Sequence, residues 1–576
     1  MLLGKTSGRL WCYLPKSILF RRTISAQFRN KHNASDSPSP TSFHWQPFVR
    51  SSLVESGKDD LRPICYASDT PSSYLSWYIC GPTVYDEAHI GHARTYVTFD
   101  IIRRILEDYF HFRVFLALGI TDIDDKIIHK ARENQTTVLD ITSKYTKQFF
   151  RDMKALGVRS PDAILAVSQH IPSIIQFIQK LIDNEMAYVT SSGVYFAVDR
   201  LTYRYGRFRC VHSPLTSWDQ ESDYLLHKRD VRDFVLWKRS NDDEPGWPSP
   251  WMICKGRPGW HVECSAMINA LFGSELDIHG GGIDLIFPHH ENELAQCCAY
   301  FERENWCRYW LHIGHLSIAG RKMSKSLKNF ITIQEMLCNM SAAEFRMFCL
   351  LHHYQSPVEY GKEQIEEAKQ TWKRLLEWDQ RCRSFLHQHE PLDDYPISLS
   401  PTMIAIEMSY KQQVVEWKTQ IAYNLAMNLN TPLVIQIILV QCRNMHRWMD
   451  EWEKDTNHSI KTITRLGILR DAYQYIHQLF HIFGLEMPSH SNKDNSFHSP
   501  RDSEWIEIIA KFRQQLRMLL KDKTIDDKQL RKQIFDICDM IRDVELKKIN
   551  IELKDNKDGS YQWQYLIDHE DSSRTS

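Results

Sequence analysis

The segment from Leu75 to Leu118 constrains the fold more than any other part of the chain. Leu75–Cys80 is an apolar and aromatic run of strand length, and Gly81-Pro82 breaks it. A helical repeat follows from about His92 to Tyr109, with Val97, Ile101, Ile105 and Leu106 on one face. Val114–Leu118 is a second apolar run of strand length. Strand, loop, helix and strand in that order form the unit of a parallel sheet, because a tight turn reverses a strand whereas a helical crossover returns it parallel. Such sheets collect their ligands at the carboxyl ends of the strands. The expectation is an α/β fold with its chemistry near Cys80–His92.

At 576 residues the chain is too long for one ordinary domain, and 43% hydrophobic with 25% charged residues excludes wholesale disorder or a small disulfide scaffold. Lys+Arg number 71 against 72 Asp+Glu, so no bulk basicity announces a nucleic acid, and such a partner needs a local basic face. No run of about 18 uncharged apolar residues occurs, so no membrane span is expected. The 14 cysteines contain no CxxC pair, which reads as reduced thiols in an intracellular compartment. The first 35 residues hold no acid and seven basic residues (Lys5, Arg9, Lys16, Arg21, Arg22, Arg29, Lys31), with Leu10, Trp11, Leu14, Ile18, Leu19 and Phe20 interspersed. That pattern fits an amphipathic mitochondrial transit peptide, with a disordered basic tail as the plainer alternative.

The expected organisation is a transit peptide (1–35), a Ser/Pro/Asn-rich linker (36–70) and a Rossmann-like catalytic domain (71–315) with an insertion at about 165–245. Residues 186–198 alternate around Ser192-Gly193 as a hairpin would. A connector (316–370), a helical domain (371–487), a polar linker (488–502) and a carboxyl-terminal helical extension (503–576) complete it.

His89-Ile90-Gly91-His92 falls between the first strand and its helix, where free N–H groups and the helix dipole favour an anion. Two imidazoles can donate to phosphate oxygens, although histidines at i and i+3 also serve as ordinary surface or capping residues. Lys322-Met323-Ser324-Lys325-Ser326 offers two ammonium groups and two hydroxyls, or else a plain solvated turn. Lysines so placed can neutralise charge on a transferring phosphate. His289 and Glu293 are four apart at a helix start, so they share a face and can grip one ion, with His290 and Glu291 expected to point elsewhere. Cys264 or Cys80 can add sulfur, a donor set that suits zinc, but spacing alone pairs neither cysteine with the other.

The histidine and lysine motifs, in this order, resemble the two hallmark motifs of class I aminoacyl-tRNA synthetases. Tyr78–Asp86 with His92-Ala93-Arg94, Gly256–Ser265, Asp277–Gly282 and Phe287–Glu293 resemble cysteinyl-tRNA synthetases in particular. The resemblance is dense from about 74 to 375 and returns at Arg542–Leu546, Asn550–Asp555 and Gly559–Trp563. It implies that His89, Gly91, His92, Lys322, Ser324 and Lys325 bind ATP, with His89, His92, Lys322 and Lys325 catalytic. It also implies one Zn2+ held by Cys80, Cys264, His289 and Glu293, and Mg2+ accompanying ATP. Gly81, Thr121, Trp260 and His279 would surround L-cysteine; Gly119 stands where many members carry asparagine. The helices beyond residue 375 would read the anticodon of tRNA(Cys) in the mitochondrial matrix, with no membrane partner. Trp417, Trp448 and Trp452 could stack on bases or simply fill the helical core. Two alternatives stay open: a ligase joining cysteine to a small amine, and an inactive tRNA-binding relative.

Overall fold

A computed structural model describes residues 74–201, 205–208, 228–242, 244–318, 320–322, 330–389, 401–454, 463–487, 528–548, 551–555 and 561–565, with four single positions between 509 and 516. The expected transit peptide and both linkers lie outside these residues.

The chain begins with β1 (Leu75–Ile79), α1 (Ile90–Arg104, continued by the wider turn Ile105–Tyr109) and β2 (Val114–Ile120), so the expected unit is present. Its strands are parallel, with Leu75 opposite Val114 and Ile79 opposite Leu118. Helices α2 (Asp125–Glu133) and α3 (Val138–Ala155) lead to β3 (Ala163–Ala166), and α4 (Ile171–Asp183) leads into the insertion. The periodic Ile174, Phe177, Ile178 and Leu181 bury that helix completely on one side.

In the insertion, β4 (Ala187–Val189), β5 (Gly193–Phe196), β6 (Phe234–Arg239), β7 (Trp247–Ser249) and β8 (Met252–Pro258) form a sheet in the order β4-β5-β6-β8-β7, all antiparallel. It reaches Pro258, past the expected edge near 245, because β8 must pair with β6 before the chain turns into α5 (Trp260–Phe272). The chain returns through β9 (Leu276–Gly282), α6 (Glu291–Phe301) and β10 (Cys307–Ile313). The main sheet runs β10-β9-β1-β2-β3, and every neighbouring pair is parallel. All five residues of central β1 are buried, which explains its continuous apolar sequence: both faces are covered.

Beyond the sheet, β11 (Leu316–Ile318) and β12 (Arg321–Lys322) form a hairpin. Then come α7 (Ile333–Leu337) and α8 (Ala342–Leu350), each opened by a capping box, Thr332 with Glu335 and Ser341 with Glu344. Strand β13 (Val358–Glu359) pairs parallel with β11. Long helices follow: α9 (Lys362–Gln388), α10 (Pro401–Asn428), α11 (Thr431–Lys454) and α12 (Ile463–Ile482). Trp417, Trp448 and Trp452 are buried among them and are core, not a stacking surface. After α13 (Lys528–Met540) the expected all-helical extension ends in an antiparallel hairpin of β14 (Ile551–Asp555) and β15 (Tyr561–Tyr565).

Two sets of contacts hold these parts in register. Arg94 of α1, buried, donates to the carbonyls of His315 and Ser356, tying the helix to the connector at 2.6 and 2.5 Å. Ile90 N donates to Ile331 O and Ile333 N to Ala88 O, so the strand-like pairing of His89 with Thr332 anchors the chain where it returns from the lysine motif. Arg346 of α8, 1% exposed, pairs with Asp100 of α1 at 2.6 Å. It also donates to Leu156 O, Gly157 O and Phe483 O, which brings α1, α3, α8 and the end of α12 to one point.

Candidate metal centre and phosphate site

Four elements deliver a cluster of metal-binding side chains. Cys80 leaves the carboxyl end of β1, Cys264 lies one turn into α5, and His289 and Glu293 come from the chain entering α6. All four are buried. The Cys80 sulfur lies 3.7 Å from that of Cys264, 3.6 Å from His289 Nε2 and 3.7 Å from Glu293 Oε1. His289 Nε2 is 3.0 Å from Glu293 Oε1. Bonds of about 2.3 Å to sulfur and about 2.0 Å to nitrogen or oxygen put the ligands of a tetrahedral zinc roughly 3.3–3.8 Å apart. The three distances from the Cys80 sulfur fall in that range and the nitrogen–oxygen distance lies just below it, and the sulfur, imidazole and carboxylate donors fit the ion.

The electrostatics are those of a site made for a cation. Burial pushes Glu293 up, but the imidazoles of His279 and His289 bring it down to about 2. Burial pushes His289 down, yet Glu293 and Cys264 raise it to about 10. A hydrogen bond from Cys80, opposed by burial, brings the Cys264 thiol down to about 6. Burial is the main reason the Cys80 thiol is held well above its ordinary range.

The surroundings correct one expectation. His290 does not turn away: its Nε2 is 3.5 Å from Cys80 Sγ and 4.0 Å from Glu293 Oε1, so Cys80, His279, His290 and Glu293 form a second possible ligand set. The two sets share Cys80 and Glu293, and the set with two sulfurs is the softer and better matched to zinc. His290 and Glu293 are three apart on regular helical backbone, and an i,i+3 pair shares a face as an i,i+4 pair does, so His290 joins His289 beside Glu293. His290 Nδ1 is 2.7 Å from His312 Nε2 of β10, and burial keeps both well below the ordinary histidine range. Glu291 does point elsewhere, accepting from Gly206 N and Phe208 N of the insertion. His261 and His289 meet through their Nδ1 atoms at 3.1 Å.

The residues expected around the amino acid converge here too. His279 is fully buried, 2.8 Å from Glu293 Oε2, and stacks on Trp310. Trp260, 40% exposed, stacks on His289 with ring centres 4.3 Å apart. Thr121 donates to Glu263 Oε2 at 3.3 Å, and burial raises that carboxyl well above the usual range. A Cβ on Gly81 would sit 1.6 Å from the Gly119 carbonyl, so the loop after β1 can lie this close to the end of β2 only as glycine. His261, Glu263 and His312 were not foreseen. His261 and Glu263 carry one sequence signal, their position beside Cys264 on a helix; His312 carries none.

At the other end of the same loop, His89 precedes α1 and His92 lies in its first turn, with Gly91 between them. His89 N–H donates to His92 Nδ1 at 3.1 Å, and the rings stack 3.9 Å apart. The capping role and the phosphate role are therefore compatible: an accepting Nδ1 leaves the neutral ring's proton on Nε2. Lys322 ends β12. Ser324 and Lys325 lie outside the described residues.

Residues 68–370 match the family described as tRNA synthetases class I (C) catalytic domain. A cysteine–tRNA ligase of Encephalitozoon cuniculi is 38% identical over 488 residues, 84% of this chain and 94% of that protein. A protein of Xenopus tropicalis named probable mitochondrial cysteine–tRNA ligase is 38% identical over 458 residues, 79% of this chain and 76% of that one. Among solved structures, Mycobacterium tuberculosis methionyl-tRNA synthetase with methionyl-adenylate shares the fold, with a TM-score of 0.56 and 15% identity over 76% of this chain and 94% of its own. Parallel sheet, strand-end cluster and these relatives agree, and the chain belongs to the cysteine–tRNA ligase family of class I synthetases.

Proposed function

We propose that the chain charges tRNA(Cys) with L-cysteine in the mitochondrial matrix, using one Zn2+ per chain and Mg2+ with ATP. The observation that carries this reading is the Cys80, Cys264, His289 and Glu293 cluster, at zinc spacing and on the same strand end as His89 and His92. The acid-free, basic first 35 residues and relatives named as mitochondrial support the compartment. The domain roles follow the sequence division: catalytic domain, connector with the lysine motif, and helices that read the anticodon.

In the first step the cysteine carboxylate oxygen attacks the α-phosphorus of ATP in line, and pyrophosphate departs. In the second, a terminal ribose hydroxyl of the tRNA attacks the adenylate's carbonyl carbon; an ester forms and AMP leaves. His89 and His92 donate to phosphate oxygens, Gly91 gives the nucleotide room, Ser324 contributes a hydroxyl to ATP, and Lys322 and Lys325 neutralise charge as pyrophosphate forms. Gly81, Thr121, Trp260 and His279 orient the amino acid. Positioning and electrostatics supply the rate, with no side-chain nucleophile. Cys80, Cys264, His289 and Glu293 would hold a zinc ion, which would supply a soft Lewis acid with a preference for a thiolate over a hydroxyl. Sulfur is thereby separated from the serine hydroxyl by more than the roughly 1–3 kcal/mol that a pocket gains from a methylene.

The test is exchange of labelled pyrophosphate into ATP, using protein without its first 35 residues, alongside elemental analysis. Exchange with cysteine but not serine, and about one zinc per chain, is expected. No exchange from folded, zinc-loaded protein would refute the enzymatic reading.

A further inference from the structure

Tyr78 lies two residues before Cys80 on β1, and alternation along a strand puts both side chains on one face. It is fully buried in the core group that also holds Cys80 and Cys264. Its ring packs edge-on against His279 at 5.4 Å. The phenol oxygen is enclosed and makes no well-formed hydrogen bond to any described residue. Of the two cysteines in that buried group, Cys264 offers the sulfur acceptor that the phenol approaches. An orphaned buried hydroxyl is costly, so the position calls for an acceptor that forms under working conditions.

The space it occupies is equally specific. A Cβ on Gly119, in the adjoining β2, would sit 2.0 Å from the Tyr78 oxygen and 2.9 Å from its ring carbon. Any side chain at 119 would expel the hydroxyl. A cysteine that binds a metal loses its proton to solvent, and the thiolate left behind is a strong acceptor.

We propose that Tyr78 is a positioning residue of the metal centre, its hydroxyl donating to the Cys264 thiolate through a slot that Gly119 keeps open. This rests on the metal reading above. The hydroxyl holds the sulfur in place and draws charge from it, which leaves the bound ion more able to accept the sulfur of the substrate.

The experiment compares wild type, Tyr78→Phe and Gly119→Ala as full chains, loaded with cobalt(II) and, separately, with zinc. Tyr78→Phe keeps the ring and removes only the donor, while Gly119→Ala keeps the donor and displaces it. Both are expected to move the thiolate-to-cobalt charge-transfer bands to longer wavelength and to weaken zinc retention against a chromogenic chelator about ten-fold. In pyrophosphate exchange the KM for cysteine rises while that for ATP holds. Bands and retention in Tyr78→Phe that match wild type overturn the proposal and leave the metal reading intact. A wild type that takes up neither metal removes both.

Discussion

Glu293 is the carboxylate on which the centre's charge balance turns, and replacing it by glutamine gives the sharpest test of that balance without metal. Its carboxylate lies 2.8 Å from His279 and 3.0 Å from His289, and against the upward push of burial those imidazoles hold it at about 2 instead of its usual 4.5. At about 1.4 kcal/mol per pH unit, that displacement is worth roughly 3 kcal/mol. The rise of His289 to about 10 records the same pair and is not added. The signs differ. A depressed carboxylate stabilises above about pH 4.5, and that stability is lost as pH falls towards 2. A raised histidine stabilises below about pH 6.5, and that is lost as pH climbs towards 10. The pair's own contribution should therefore be greatest between about pH 4.5 and 6.5 and fall on both sides, while the lowered Cys264 thiol adds a contribution of opposite slope above about pH 6. Glu293→Gln should flatten both limbs and lower the plateau by about 3 kcal/mol, within the usual cost of breaking a buried pair. Urea unfolding followed by circular dichroism at several pH values reads this. Parallel curves for the two proteins across this range would refute the argument.

Three further outcomes follow from the geometry. His92→Asn keeps an oxygen to accept the His89 N–H but loses the imidazole donor; pyrophosphate exchange should fall about 10²–10³-fold with a nearly unchanged melting point. A large loss of stability would instead mark His92 as a cap alone. Arg346→Met removes the buried partner of Asp100 and three carbonyl contacts, and urea unfolding should show a loss of about 3–5 kcal/mol. Trp260→Ala should raise the KM for cysteine while stability falls by less than 1 kcal/mol, because its half-exposed ring covers His289 without filling the core.

What was legible from sequence follows the physical range of each signal. The β1–α1–β2 unit was readable because strand and helix periodicities are local, and both strands are buried enough to be continuously apolar. Cys80 and Cys264 could be paired only through resemblance, because 184 residues separate them and no local pattern spans a sheet crossover. His290 departs from expectation because only the i,i+4 pair His289–Glu293 was placed on one helix face, whereas the i,i+3 pair His290–Glu293 shares it too. His312 was invisible, since in sequence it is one histidine on a buried strand. The terminal hairpin went unread although Ile551 and Leu553 alternate with polar residues as a strand does, because five residues are too short a run to stand out beside the helical stretch before it.

The arrangement also explains why one loop can serve two chemistries. Cys80 ends β1 and His89 opens α1, so both are fixed by the same strand–helix unit. The metal cluster is buried at the ends of β1 and β9 beside α5 and α6, where pairing buried charges requires that each donor have a partner. The histidines at the helix start remain half-buried, as a site that must admit and release a nucleotide requires. Glycine at 81 and 119 lets the two strand ends approach closely enough to carry both in one pocket. A side chain at Gly81 would push the loop off the Gly119 carbonyl and shift Cys80 and His89 together. Gly81→Ala should therefore impair zinc retention and ATP use in parallel, whereas Gly119→Ala should affect the metal centre alone. Equal effects of the two substitutions on ATP use would show that the loop moves as a rigid whole and that the two sites are not separable.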